Sequence, residues 1–239
     1  MNKKADVVIV GTGVAGLFSA LNLPDDKEII MITKSDAESS DSFLAQGGIC
    51  VLRDEQDYDS YFEDTMRAGH YENRKESVDI MIRSSGKIIE DLVGYGVEFE
   101  KDGEAFAYTR EGAHSRPRIL FHADVTGKEI TSKLLARVRE KNNVTIYEYT
   151  TMTDILEENG KCAGITVKTK SGEESSIYAD YTILASGGIG GLYQHSTNFP
   201  HLTGDALEVA KKHHIRLEHL DYVQIHPTTL YSEKPAEDS

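Results

Sequence analysis

The stretch from Asp6 to Thr33 constrains this chain more than any other. Asp6-Val-Val-Ile-Val10 is a short β-branched run ending on glycine, the pattern of a strand buried on both faces. Gly11-Thr12-Gly13-Val14-Ala15-Gly16 follows, and Gly13 to Leu23 reads as a helix stopped by Pro24-Asp25-Asp26. Glu28 to Thr33 is a second buried strand. A strand, a helix and a strand within about thirty residues leave room only for a parallel pair with a right-handed crossover. Gly11 then permits the tight turn, Gly13 lets the backbone approach a pyrophosphate, and Gly16 allows close helix–strand packing. The helix N-terminus offers its unpaired N–H groups to the phosphates. G-x-G-x-x-G alone is a weak signal. With a strand before it, a helix after it and a second strand on schedule, it predicts a dinucleotide site rather than an empty glycine turn.

The acid that usually reads the adenosine ribose, about 20 residues further on, is replaced by Thr33-Lys34-Ser35. Lys34 suits an NADP 2′-phosphate, a flavin enzyme that holds its ribose otherwise, or plain solvation at a strand end. Position alone does not choose. A second glycine turn, Ala185-Ser186-Gly187-Gly188, closes Tyr181–Ala185, read as another buried strand, and favours FAD, because an extended dinucleotide crosses several strand ends.

A polar linker is expected from Ser35 to Ser42, then a turn at Gln46-Gly47-Gly48. Helices are expected at 57–68, 76–95 and 205–214. Thr126–Lys141 is a further helix, with Ile130, Leu134, Leu135 and Val138 on one stripe and basic residues in its last turns. From Val144 the period drops to two. Strands are predicted at 144–148, 153–157, 162–168, 175–179 and 181–185, with hairpin turns at Asn159-Gly160 and Ser171-Gly172, and a strand-like segment at Tyr222–Ile225. The expected architecture is α/β: one Rossmann-like domain over residues 1–239, a parallel sheet with an inserted antiparallel β-meander. The tail carries no closing helix, so the chain is expected to stop short of a complete domain.

Composition narrows the function. Forty Asp and Glu against 26 Lys and Arg give a net charge of −14, a field that repels phosphate and argues against nucleic acid and anionic membranes. Cys50 and Cys162 fit neither a disulfide framework nor a zinc site, and no metal is expected. No apolar run approaches the roughly 20 residues of a membrane span, and the opening strand leaves no room for a signal peptide. A cytoplasmic protein is expected.

Against that acidity, Arg110, His114, Arg116, Arg118 and His122 crowd one stretch, with Glu111 as the only acid among them. Guanidinium forks bind carboxylates bidentately, so the cluster suits a small dianion; a solvated basic loop pairing with surface acids is the plainer alternative. Glu111 helps an anion site only where the ligand also carries a cation, or where it orients a catalytic group. His226, fixed by Pro227 after an apolar segment, is either a site residue or a hydrogen-bonded structural histidine.

G-T-G-V-A-G-L, S-D-S-F-L-A-Q-G-G-I, T-R-E-G-A-H-S-R-P-R-I-L, H-A-D-V-T-G-K-E-I, L-A-S-G-G, T-G-D-A-L and Q-I-H-P-T-T-L-Y stand in the order found in the L-aspartate oxidase family. The chain resembles that family from about Asp6 to Tyr231. The family is a branch of the succinate dehydrogenase/fumarate reductase flavoproteins, and T-R-E-G-x-H-S is the stretch that separates the branches. The resemblance implies FAD-dependent oxidation of L-aspartate to iminoaspartate in NAD biosynthesis, with oxygen or fumarate as acceptor. A quinolinate synthase is the protein partner it suggests. It places Thr12, Gly13, Val14 and Ala15 on the pyrophosphate, and Lys34 toward the adenosine. Asp41, Ser42, Phe43, Leu44, Ala45, Gln46, Gly47 and Gly48 would run along the isoalloxazine, with Asp205 also on FAD. Glu111 would face the substrate ammonium and His226 a substrate carboxylate. Asp41 stands where covalent-flavin members carry histidine, which implies non-covalent FAD. The resemblance also implies that a capping domain, beginning near 230–239, a returning segment and a helical domain lie beyond this chain. The acid/base would lie there too, so the chain alone is expected not to turn over substrate. A soluble fumarate reductase, a non-catalytic dinucleotide-binding module and an NADP-dependent dehydrogenase are the rival readings.

Overall fold

The computed structural model describes residues 3–225. In chain order its elements are β1 (Lys3–Val10), α1 (Val14–Asn22), β2 (Ile29–Ile32), α2 (Asp41–Leu44), β3 (Ile49–Cys50), α3 (Tyr58–Ala68), α4 (Lys75–Gly94), β4 (Lys101–Asp102), β5 (Ala105–Phe106), β6 (Ile119–Leu120), α5 (Thr126–Glu140), β7 (Val144–Tyr147), β8 (Thr150–Glu158), β9 (Lys161–Thr169), β10 (Glu174–Leu184) and α6 (Asp205–Lys212). They fall into two compact units, one made of the chain up to Gly11, Lys27–Asp36 and the part from Ile146 onward, the other of Thr12–Asp26 and Ala37–Thr145.

The first unit is built on a six-stranded sheet in the order β7-β2-β1-β10-β9-β8. β1 runs parallel to β2, from Val7↔Ile29 to Val10↔Ile32, and parallel to β10 on its other side. This is the pair that the short β-α-β spacing demands. β9 pairs antiparallel with both β8 and β10, so the expected meander shares its last strand with the parallel half. Val8, Val10, Ile30 and Ile32 join Met152, Ile165, Val167, Ile177 and Val209 of α6 in one core. Val7, Ile9, Ile29 and Met31 alternate with them and are equally buried, which explains why these two strands read as unbroken apolar runs. Each such side chain contributes about 1.5–3 kcal/mol on burial. The Asn159-Gly160 hairpin forms as expected, both residues at positive φ (53° and 74°).

The structure departs from the expected strands at three points. The two strands predicted at 175–179 and 181–185 are one, β10, with Asp180 inside it. Its second half is not buried, because β9 pairs with β10 only as far as Tyr178↔Gly164; beyond that, Tyr181 is 70% and Leu184 44% exposed. Tyr222–Ile225 forms no strand, only irregular backbone.

In the second unit, α1 and α2 both pack on α5. The stripe predicted on α5 is buried as expected, Ile130, Leu134, Leu135 and Val138 together with Gly127. The polar linker predicted to run to Ser42 instead gives way at Asp41 to α2, a single turn too short for periodicity to reveal. That turn can lie on α5 because Gly127 has no side chain. Its N–H donates to the Ala45 carbonyl at 2.8 Å, and an ideal Cβ there would sit 2.2 Å from the Ser42 carbonyl oxygen. Gly127→Ala gains up to about 1 kcal/mol of helix propensity but forces backbone apart. A net destabilisation of about 1–3 kcal/mol is expected; a thermal midpoint that stayed level or rose would show that α2 is not clamped there. A second core lies around Tyr61, Met66, Val78 and Ile82 of α3 and α4.

Candidate functional site

The first unit gathers five of the predicted site residues at its strand ends and α6. Gly11 sits at φ 113°, and a Cβ on it would come within 2.2 Å of the Ala185 carbonyl oxygen. The neighbouring backbone is tied at the same level: Gly11 N–H donates to the Ile32 carbonyl (2.9 Å) and Ala185 N–H to that of Val10 (2.8 Å). Ser186 and Gly187, the latter at φ 73°, follow directly. Lys34, just past β2, meets Asp205 at the start of α6. Its ammonium forms an ion pair with Asp205 (2.8 Å to Oδ2) and donates to Thr203 Oγ1 (2.6 Å) and the His201 carbonyl (2.8 Å). With its three N–H groups taken, Lys34 is no free cation for a 2′-phosphate, and the NADP reading loses the feature that suggested it.

The second unit holds the rest of the described candidates. Val14 N–H, at the first turn of α1, donates to Ser42 Oγ at 3.0 Å, which joins the predicted phosphate loop to the segment Asp41–Gly48. Thr12 is buried and its Oγ1 has no hydrogen-bond partner; Ser40 Oγ is likewise unpartnered. A buried hydroxyl left unpaired costs about 1–3 kcal/mol, so the loop fits a group that supplies acceptor oxygens, as a pyrophosphate does. Ala15 is exposed beside it and Gly16 buried. Phe43 carries the Lys128 ammonium 5.7 Å from its ring centre, while Leu44, Ala45, Gln46 and Gly47 are exposed.

The Glu111 loop is fastened to that same segment. Thr109 and Ile119 exchange backbone hydrogen bonds (2.9 and 3.2 Å), closing residues 110–118 into a loop. β6 then pairs with β3, Ile49↔Leu120 and Cys50↔Ile119. Gly48 N–H donates to Glu111 Oε1 at 3.3 Å, so A-Q-G-G and T-R-E-G, more than sixty residues apart, meet. A cavity of about 500 Å³ opens beside them, bounded by Gly48, Cys50, Tyr61, Met81 and His114.

The cationic cluster needs correcting. Arg118, read as a ligand guanidinium, is completely buried. Its Nε and Nη2 form a bidentate pair with Asp57 (3.0 and 2.8 Å), and Nη1 bonds Asp64 (2.7 Å). Ser60 and His114 Nδ1 accept the remaining N–H groups at 2.9 and 3.0 Å, so all five donors are used. His122 donates from Nδ1 to the Glu98 carbonyl at 2.8 Å. Arg110, Arg116 and Glu111 remain exposed. His226 lies outside the described residues.

Arg118 also fixes a tautomer. It can only donate, so His114 Nδ1 accepts, and the imidazole proton sits on Nε2, facing Cys50 Sγ at 3.3 Å. Burial, aided by the Arg118 charge, pushes the His114 pKa below its usual value. Burial pushes the Cys50 thiol up, against a hydrogen bond from Tyr61. For Asp64 burial acts upward but is outweighed by Ser115, Arg118 and Arg67, and its carboxyl stays below the ordinary range; Asp57 is held down likewise by Arg118 and Ser60. Stability should therefore fall in two stages on acidification. The first begins below pH 6.5, where the unfolded chain takes up a proton that folded His114 resists. The second begins below 3.8, as Asp57 and Asp64 lose their charge advantage. Urea midpoints across this range should show both stages, and His114→Gln should remove the first. Midpoints flat between neutrality and pH 5 would contradict this, 5 being roughly the lower edge of the histidine window.

Asp57, Asp64 and Ser115 escaped the sequence reading, yet a signal was present. Residues 57, 61 and 64 fall on one helical face, so two acids share the stripe of buried Tyr61. Acids on an apolar stripe ask for a buried cation.

Among the described residues no helix is long and apolar enough to cross a membrane, and no group of side chains is arranged to hold a metal ion. The chain is 45% identical to an L-aspartate oxidase of Clostridium perfringens, over 99% of its own length and 54% of that protein's. It is 42% identical to one of Clostridium acetobutylicum, over 99% and 55%. It thus spans about half the length of these relatives. Among solved structures, an E. coli quinol fumarate reductase matches with a TM-score of 0.85 at 25% identity, covering 89% of this chain and 37% of that one. Mycobacterium smegmatis Sdh1 matches at 0.80 and 25%, covering 88% and 38%. A family model described as "FAD binding domain" matches residues 6–238. The protein belongs to the FAD-binding domain family.

Proposed function

We propose that the chain supplies the flavin-binding part of an enzyme that oxidises L-aspartate to iminoaspartate, acting in the cytoplasm. FAD, when bound, supplies the two-electron acceptor for hydride removal from the substrate Cα. Thr12, Gly13, Val14 and Ala15 would meet its pyrophosphate, with Gly11 making the tight turn and Gly16 the close helix packing that this approach needs. Lys34 would face its adenosine side and Asp41 to Gly48 would run along its ring, with Ser186, Gly187 and Asp205 also on FAD. With aspartate at position 41, attachment is non-covalent, so acid precipitation should release all the flavin; a yellow pellet would contradict this.

The observation that carries the substrate reading is the Glu111 carboxylate, exposed on its loop beside the Gly48 backbone. An exposed carboxylate at that loop repels a plain dicarboxylate but favours one bearing an ammonium. The protein's task is to hold the zwitterion so that its Cα–H faces the acceptor; the oxidation removes that hydride and one nitrogen proton. Arg118 spends its donors on Asp57, Asp64, Ser60 and His114, which leaves Arg110, Arg116 and His226 as the candidates on this chain for gripping substrate carboxylates. The quinol fumarate reductase likeness favours one rival, reduction of a ligand without nitrogen. Glu111→Gln separates the two. On the FAD-loaded full polypeptide it should lower kcat/KM for L-aspartate about 100-fold and change fumarate reduction less than about threefold. Equal losses would favour the rival.

A further inference from the structure

Glu111 is exposed, and its Gly48 hydrogen bond is long at 3.3 Å, too weak to fix a carboxylate on a loop that continues into Gly112. The loop is instead held from behind. Asp64 Oδ2 accepts the Ser115 backbone N–H, the Ser115 hydroxyl and Arg118 Nη1, each at 2.7 Å. Its Oδ1 takes Arg67 Nη2 at 2.6 Å. Ser115 directly follows the turn closed by His114 N–H donating to the Glu111 carbonyl at 3.0 Å, and His114 is itself gripped by Arg118. A short, fully hydrogen-bonded path thus runs from a buried carboxylate on α3 to the backbone of Glu111.

Stability alone is a poor reason for such an arrangement. A buried ion triad often stabilises no better than apolar side chains of the same volume. What it adds is direction: several acceptor bonds converging on one carboxylate fix a loop in a way that methyl groups cannot.

We propose that Asp64 is a positioning residue. Through Ser115 and Arg118 it sets the Glu111–His114 turn, and so sets where the Glu111 carboxylate stands when an ammonium-bearing dicarboxylate binds. This rests on the reading of Glu111 given above. Asp64 is almost wholly buried, with its carboxylate taken up by Ser115, Arg118 and Arg67, so its effect on recognition of the amino group runs through the loop.

The test uses the full polypeptide loaded with FAD. The dissociation constant for L-aspartate is read from the concentration dependence of the anaerobic flavin-reduction rate, and that for fumarate from the change it causes in the spectrum of the oxidised flavin. Ser115→Ala removes one of the three bonds to Oδ2 and keeps the Arg118 ion pairs, so the fold survives. It should weaken L-aspartate about tenfold, leave fumarate within about twofold, and add nothing further in a Glu111→Gln background. Ser115→Thr, which keeps the hydroxyl, should restore binding. Asp64→Asn should act like Ser115→Ala but more strongly, and if it does not fold, Ser115→Ala decides alone. Equal weakening of both ligands by Ser115→Ala, or full additivity with Glu111→Gln, would mean that the network only stabilises the fold and would overturn the proposal. A Glu111→Gln protein that still treats both ligands as the parent does would overturn the reading of Glu111 itself, and the proposal with it.

Discussion

Arg118→Ala should lower stability by about 3–5 kcal/mol, because it leaves two buried carboxylates facing each other without their cation. At about 2–4 °C per kcal/mol for a chain of this size, the thermal midpoint should fall by roughly 6–20 °C. The loss comes from the stranded charges more than from missing contacts. Asp57 and Asp64 are almost as buried as Arg118, at 1% and 3% exposure. Arg118→Lys keeps the charge but not the planar fork that serves both acids, Ser60 and His114, so it should recover only part of the loss. Adding Asp57→Asn and Asp64→Asn to Arg118→Ala should recover part by a different route, removing the charges that were stranded. If Arg118→Ala melted within about 2 °C of the parent, the triad would be no more than a surface-grade ion pair.

The second large effect belongs to Gly11. Alanine there must adopt a φ of 113°, a conformation that costs an L-residue about 1–3 kcal/mol, while its Cβ meets the Ala185 carbonyl 2.2 Å away. Neither β1 nor β10 can retreat without breaking the Ala185–Val10 hydrogen bond. A total of about 3–5 kcal/mol is expected once overpacking is included, with loss of FAD uptake. Gly13→Ala is the informative contrast. A Cβ at Gly13 meets the Ser42 hydroxyl at 3.0 Å, with only ordinary contacts to the Ser40 and Ser42 Cβ atoms beyond it, so the hydroxyl yields at the cost of the hydrogen bond it accepts from Val14 N–H. Its melting should fall far less than that of Gly11→Ala while its affinity for FAD falls, because here the side chain displaces a hydroxyl and intrudes on the ligand rather than on backbone. If both variants melted alike and bound flavin alike, the two glycines would not differ as described.

What the residues alone revealed, and what they concealed, follows from the range of the forces involved. The β-α-β unit was legible because two fully buried strands and a helix must write their periods into adjacent residues. The stripe on α5 was legible for the same reason. The Lys34–Asp205 pair was not, since it joins positions far apart in the chain, and only the fold brings them together. Arg118 was misjudged because local context, a run of cations, pointed to a ligand, while its partners Asp57 and Asp64 lie a full helix away in sequence. Gly127 went unnoticed because a glycine in the first turn of a helix attracts no suspicion until another backbone is seen resting on it. The second half of β10 reads as apolar and is exposed all the same, since pairing with β9 stops where Gly164 bends away at φ 131°.

The most direct measurement of the central claim is an equilibrium titration of the purified apoprotein with FAD, followed by quenching of flavin fluorescence, with NADP⁺ as competitor. Saturable uptake of one flavin per chain, undisturbed by NADP⁺ and abolished by Gly11→Ala, is the predicted result. A protein that stays colourless at saturating FAD, or that surrenders its site to NADP⁺, would contradict it.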